Sequence, residues 1–176
     1  MRDSIGCGPG HVARYLRDAN VTVFGLDLSL GMLEEARRLN SGIPFREGNM
    51  LSLDIPAGTL AGIVAFYAIV NIPEELLKIA FQEMTRVLTP GGLLLITFHI
   101  GCGVVRPEEL WGVPITMDFC LFETVQIRQD LEMAGLSVDE VIERDPYPEV
   151  EYPSRRAYIF ARRPELCAEL PLRLDL

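Results

Sequence analysis

The chain has 176 residues, 49% of them hydrophobic and 23% charged, and a formal charge of −9 at pH 7. That is one domain's length, with apolar content enough to bury roughly two-thirds of the unfolded surface, which excludes a disordered chain. The acidic balance argues against nucleic acid as the main partner, because binding phosphates requires a basic surface, and leaves a small or neutral substrate.

Gly6-Cys7-Gly8-Pro9-Gly10 comes first. Glycines at alternate positions, between a strand end and a helix start, let the backbone turn tightly and approach a ligand where a Cβ would collide. The helix behind them, His11 to Asp18, offers unpaired N–H groups to an anionic part of that ligand. Val21 to Asp27 reads as a buried parallel strand, apolar on both faces, and ends in an acid able to accept two hydrogen bonds from a ribose diol. Ser29 is the expected N-cap of a helix striped by Met32, Leu33, Ala36 and Leu39. Phe45 to Asn49 is a weaker strand and Gly62 to Ala68 a stronger one.

Pro73 opens a helix whose apolar residues, Leu76, Leu77, Ala80, Phe81, Met84, Val87 and Leu88, recur at helical steps up to a Pro90-Gly91-Gly92 break. Leu93 to His99 follows as a buried strand. Residues 100–122, with Pro107, Trp111 and Pro114, read as an irregular insertion. Glu123 to Ala134 resumes as a helix ended by Gly135. Ser137 to Arg144 and Arg155 to Arg162 are the last strands, expected antiparallel because no helix separates them. The unit is a single domain over 1–163, followed by a tail, 164–176. The cysteines, Cys7, Cys102, Cys120 and Cys167, are spread without CxxC spacing and no leader pattern opens the chain, so reduced, cytoplasmic thiols are expected. The longest apolar runs are too short to cross a bilayer, so no membrane partner is expected.

Three segments carry a family resemblance. Ile5-Gly6-Cys7-Gly8-Pro9-Gly10-His11-Val12 resembles the glycine-rich first motif of the class I S-adenosylmethionine-dependent methyltransferases. Gly25-Leu26-Asp27-Leu28-Ser29 resembles their ribose-binding strand end, and Val87-Leu88-Thr89-Pro90-Gly91-Gly92-Leu93 the turn before their fifth strand. The resemblance implies an α/β, Rossmann-like methyltransferase sandwich with helices on both faces. Its mostly parallel sheet would have the order 3-2-1-4-5-7-6, with strand seven antiparallel. A dinucleotide fingerprint would want a small residue where this chain has His11, which makes NAD the runner-up cofactor.

By position, the resemblance assigns cofactor binding to Ser4, Gly6, Cys7, Gly8, Gly10 and Asp27. Leu28, Met32, Asn49 and Met50 would border the adenine, and Tyr67 the methionine portion. The product would be S-adenosylhomocysteine. Asn49 stands where relatives carry Asp; it keeps a carbonyl acceptor and loses the charge. Ser4 stands where they carry an acid. Asp3 is displaced by one residue and so points to the other face of the strand, which gives up a charge-assisted interaction of about 1.5–3 kcal/mol.

Relatives also have residues before this motif that cover the site, so the expectation is an open site, or one closed by a homodimer partner or by the tail. A shortened, methyltransferase-like interaction module is the alternative function.

Methyl transfer needs chiefly positioning and desolvation, and a base only for acceptors that carry a proton. His99 is the best-placed base, with Tyr67 beside the reacting methyl; the plainer readings are a strand-end histidine bonded to backbone and a packed tyrosine. Trp111 and Asp118 would shape an acceptor pocket or form a satellite cluster. No metal site is expected, because the Cys–His pairs lack closed ligand spacing.

Overall fold

A computed structural model describes residues 2–110 and 112–165, with the backbone alone for 2–5 and 110. Trp111, the tail beyond 165 with Cys167, and the side chain of Ser4 therefore lie outside the described residues. The elements run β1 (Arg2–Ile5), α1 (His11–Asp18), β2 (Val23–Asp27), α2 (Leu30–Leu39), β3 (Phe45–Glu47), β4 (Leu60–Phe66), a 3₁₀ turn (Ile69–Asn71), α3 (Glu74–Val87) and β5 (Leu88–His99). Four two-residue strands follow, β6 (Val104–Val105), β7 (Glu109–Leu110), β8 (Val113–Pro114) and β9 (Phe119–Cys120), then α4 (Thr124–Met133), β10 (Ser137–Arg144) and β11 (Arg156–Arg162).

Seven of the strands form one sheet in the order β3-β2-β1-β4-β5-β11-β10. With β10 and β11 counted as sixth and seventh, this is the expected 3-2-1-4-5-7-6 order. β1, β2, β3, β4 and β5 pair in parallel, while β11 is antiparallel to both β5 and β10.

The helices form because their apolar stripes have a sheet to meet. Leu77, Ala80, Phe81 and Met84 of α3 and Ile127 and Leu131 of α4 are completely buried, in one cluster with Ile63, Ala65, Leu94, Ile96, Phe98 and Ile159. Ala13, Leu33 and Ala36 of α1 and α2 form a second cluster with Val23, Ile43 and Phe45. Alternation along β2 explains the division: Val23 points to one cluster and Phe24 and Leu26 to the other. Ser29 caps α2, its side chain accepting the Met32 N–H at 3.3 Å.

Two segments differ from the sequence reading. The Pro90-Gly91-Gly92 break lies inside the span of β5: β4 advances from Leu60 to Gly62 while β5 advances from Leu88 to Leu93, so the extra residues bulge out. Gly91 supports the bulge at φ 75°, and the Gly91 N–H and Gly92 carbonyl bond back to Arg163. Residues 100–122 are also more regular than expected. β6 pairs with β9, and β7 with β8 inside them, giving nested antiparallel ribbons. Asp118 is paired with Arg106 at 3.1 Å across this arm, and its carbonyl accepts from Asn71 Nδ2 at 3.0 Å, which ties the arm to the turn after β4.

Candidate active site

The loop from β1 to α1 is shaped by what surrounds it. Gly6 adopts φ 63°, and a Cβ there would collide with the Ala68 Cβ, so the loop can lie against the end of β4 only without a side chain. Gly8, at φ 50°, differs: nothing lies within 4 Å of where its Cβ would be. Its open side is room for a ligand to approach the backbone. Beneath the loop, the buried Asn40 donates from Nδ2 to the Pro9 carbonyl at 2.9 Å and to the Ala36 carbonyl at 2.9 Å. Asn40 is 2% exposed and escapes sequence reading, because an Asn just past a helix end is an ordinary sight. No side chain caps α1, which starts from Gly10, so its first N–H groups face the loop side with their partial positive charge.

Asp27 joins this loop to β2. Its Oδ2 accepts the Gly8 N–H at 2.8 Å and its Oδ1 the Ser29 N–H at 2.9 Å. Each carboxylate oxygen retains acceptor capacity. Beyond it, Leu28 and Met32 leave 65% and 45% of their surface exposed. That apolar surface beside an acid and an open glycine suits the flat face of a base.

On the other side, Met50 approaches Gly6, its Cε 3.5 Å from the position of a Gly6 Cβ. The Asn49 Oδ1 accepts the Leu51 N–H at 2.9 Å, so one lone pair of the predicted adenine acceptor is already used locally. The segment is clamped from α3. Glu83 accepts the Leu53 N–H at 2.8 Å and pairs with Arg86 at 2.7 Å, and Arg86 donates to the Leu53 and Ile55 carbonyls at 2.9 Å each. The Arg86 hydrogen bond holds the Glu83 carboxyl below its usual range.

At the carboxyl ends of β4 and β5, Tyr67 takes φ 52°, uncommon for a bulky residue. Its N–H is held by Thr97 Oγ1 at 2.9 Å, and its ring stacks on His99 with centroids 4.8 Å apart. Burial, then hydrogen bonding to Tyr158, pushes the Tyr67 hydroxyl up to about 12. His99 Nδ1 lies 2.7 Å from Ser154 Oγ. Burial first, and the Arg156 charge second, hold the His99 pKa below its ordinary value, leaving a neutral imidazole at neutral pH.

The structure thus brings Gly6, Gly8, Gly10, Asp27, Met50, Tyr67 and His99 to one end of the sheet, and Leu28, Met32 and Asn49 to its rim. Ser4 sits in register with Gly25 and Val64 on the strand leading into the loop. Ser154, Arg156 and Glu151 were missed. A charged Arg156 at the head of the otherwise apolar run Ala157 to Ala161 was the available signal.

Residues 4–92 match the family described as "Methyltransferase domain". Over 106 residues the chain is 35% identical to a malonyl-[acyl-carrier protein] O-methyltransferase of Enterobacter lignolyticus, a match covering 60% of this chain and 41% of that protein. Over 146 residues it is 30% identical to a trans-aconitate 2-methyltransferase of Rhodopseudomonas palustris, covering 77% of this chain and 53% of that protein. The chain therefore spans about half the length, or less, of these curated relatives. Among solved structures, an S-adenosylmethionine-dependent methyltransferase of Methanosarcina mazei superposes with a TM-score of 0.80 at 17% identity, over 94% of this chain and 92% of that one. One from Mesorhizobium loti superposes with a TM-score of 0.73 at 20% identity, over 93% and 90%. These last likenesses concern the fold alone.

Proposed function

This chain belongs to the class I S-adenosylmethionine-dependent methyltransferase family, and from that premise we propose that it binds S-adenosylmethionine at the glycine loop and methylates a small molecule. The observation that carries the reading is the Asp27 carboxylate bonded to the N–H of Gly8, the one loop glycine with open space beside it.

The residues fit this cofactor. Gly6, Cys7, Gly8 and Gly10 supply the backbone cradle and Asp27 receives the ribose hydroxyls. Leu28, Met32 and Met50 enclose the adenine, with the remaining lone pair of Asn49 Oδ1 for its amino group, and Ser4 and Tyr67 border the methionine end. When bound, the cofactor supplies a methyl group already activated by a sulfonium, so the protein's work is alignment and exclusion of water. His99, neutral at neutral pH and fixed between Tyr67 and Ser154, takes the proton from an acceptor that carries one.

Calorimetry with S-adenosylmethionine, S-adenosylhomocysteine and NAD tests this. The reading predicts heat with the two sulfur compounds and none with NAD; the reverse, or no heat at all, would reject it.

A further inference from the structure

On three neighbouring strands the register sets His99, Arg156 and Arg144 abreast, because Arg156 opposes both His99 of β5 and Arg144 of β10. Directly opposed residues share a face of the sheet. The row continues a line that begins at the glycine loop. Ala68 meets Gly6 at the end of β4, His99 lies one strand beyond, and Arg156 one strand beyond that.

This row holds more positive charge than it neutralises. Arg144 Nη1 and Nη2 reach Glu151 at 2.7 and 2.9 Å, and its Nε and Nη2 reach the Tyr158 hydroxyl at 3.1 and 2.9 Å. With Nη1 also on the Asp145 carbonyl at 3.0 Å, all of its N–H groups are used. Arg156, 4% exposed, donates from Nη1 to the Tyr152 and Ser154 carbonyls at 3.2 and 2.8 Å. Its Nε is 3.5 Å from the same Glu151. One carboxylate thus faces two guanidiniums while His99 is neutral, in a chain of net charge −9. A buried guanidinium with only a shared counter-ion is costly unless another anion completes it.

The hydroxyls extend that logic. The Tyr158 oxygen receives two N–H bonds from Arg144, so its own O–H is left to donate, and Tyr67, whose ring stacks on His99, is its neighbour. Tyr67, its hydroxyl pushed up to about 12, is protonated at neutral pH and carries a second O–H. Apart from the His99 imidazole, the row ends in donors, and its excess is a single positive charge.

We propose that Tyr67, Tyr158 and Arg156 bind a carboxylate of the methyl acceptor beside His99, so that the acceptor is a small carboxylic acid. The inference rests on the methyltransferase reading for its site and names the acceptor class within it. A carboxylate matches the excess charge and the few donors; a phosphate dianion would want more of both.

The test titrates the full chain with glutarate, with its neutral analogue glutaramide and with inorganic phosphate at matched ionic strength, following the ring resonances of Tyr67, Tyr158 and His99. Glutarate is expected to shift them saturably and the other two are not. Tyr158→Phe, which keeps the ring, should weaken glutarate at least fivefold and leave S-adenosylhomocysteine affinity, measured by calorimetry on the same samples, within twofold. Equal responses to acid and amide, phosphate acting as well as glutarate, no saturable glutarate shift, or a Tyr158→Phe variant with unchanged glutarate affinity would each overturn the proposal. Loss of S-adenosylhomocysteine binding with the glutarate result intact would instead count against the cofactor reading.

Discussion

The Asp27 carboxylate and the Gly8 N–H are bonded to each other at 2.8 Å, so the acid of β2 and the turn after β1 form one unit. The same oxygens that hold the loop are those proposed to receive the ribose hydroxyls. Preorganisation follows, since little ordering remains to be done on binding. The consequences are specific to single side chains.

Gly6→Ala and Gly8→Ala should differ in kind. Both force a Cβ onto a left-handed backbone, which costs about 1–2 kcal/mol. Only at Gly6 does it also collide with Ala68, so Gly6→Ala should lose about 3 kcal/mol or more in urea denaturation. Gly8→Ala should stay folded and lose cofactor affinity. Equal stability of the two variants would contradict this account of the loop.

Asn40→Ala removes the amide that spans Pro9 and Ala36. The Ala36 carbonyl keeps the backbone N–H of residue 40, but leaving the part-buried Pro9 carbonyl unpaired should cost about 1–2 kcal/mol, together with weaker S-adenosylhomocysteine binding as the loop loses its floor. A variant with wild-type stability would show the contact to be incidental.

His99 should titrate below 6.5, the ordinary value from which burial and Arg156 depress it. A depressed pKa means that the folded state binds fewer protons. The corresponding stability is present above 6.5 and is lost as pH falls through the folded value. Turnover that depends on the neutral ring should therefore persist below 6.5. Imidazole NMR shifts read the titration directly, and a midpoint at or above 6.5 is the contrary result.

Arg86→Ala should free the segment after β3 by exposing the Leu53 and Ile55 carbonyls. The expected loss is about 1–2 kcal/mol. In the wild type the Glu83 part of this clamp is present above the ordinary carboxylate range and lost on acidification through its lowered pKa. Urea midpoints for both proteins as pH falls provide the check: the difference between them should shrink, and a constant difference would contradict the assignment.

What was readable in the sequence was local. Ser29 as a cap, the span of β10 and the glycine loop depend on neighbouring residues and chain periodicity, and they appear where they were expected. Residues 100–122 looked irregular because strands of two residues are too short to show an alternating pattern. The Pro90-Gly91-Gly92 break looked like the end of a helix and is a bulge within β5, because the β4 partner that extends the strand back to Leu88 is not a local feature. The network of Arg144, Glu151, Arg156 and Ser154 around His99 was hidden for the same reason. Only the pairing of β5 with β11 and β11 with β10 sets these residues side by side.

The central claim, that the Asp27–Gly8 unit is a cofactor site, is tested most directly by calorimetric titration with S-adenosylhomocysteine of the wild-type chain and of Asp27→Ala. The account predicts saturable binding to the wild type and an affinity at least tenfold weaker in the variant, a difference of about 1.4 kcal/mol or more. Binding of equal strength to both proteins, or no binding to the wild type, would contradict it.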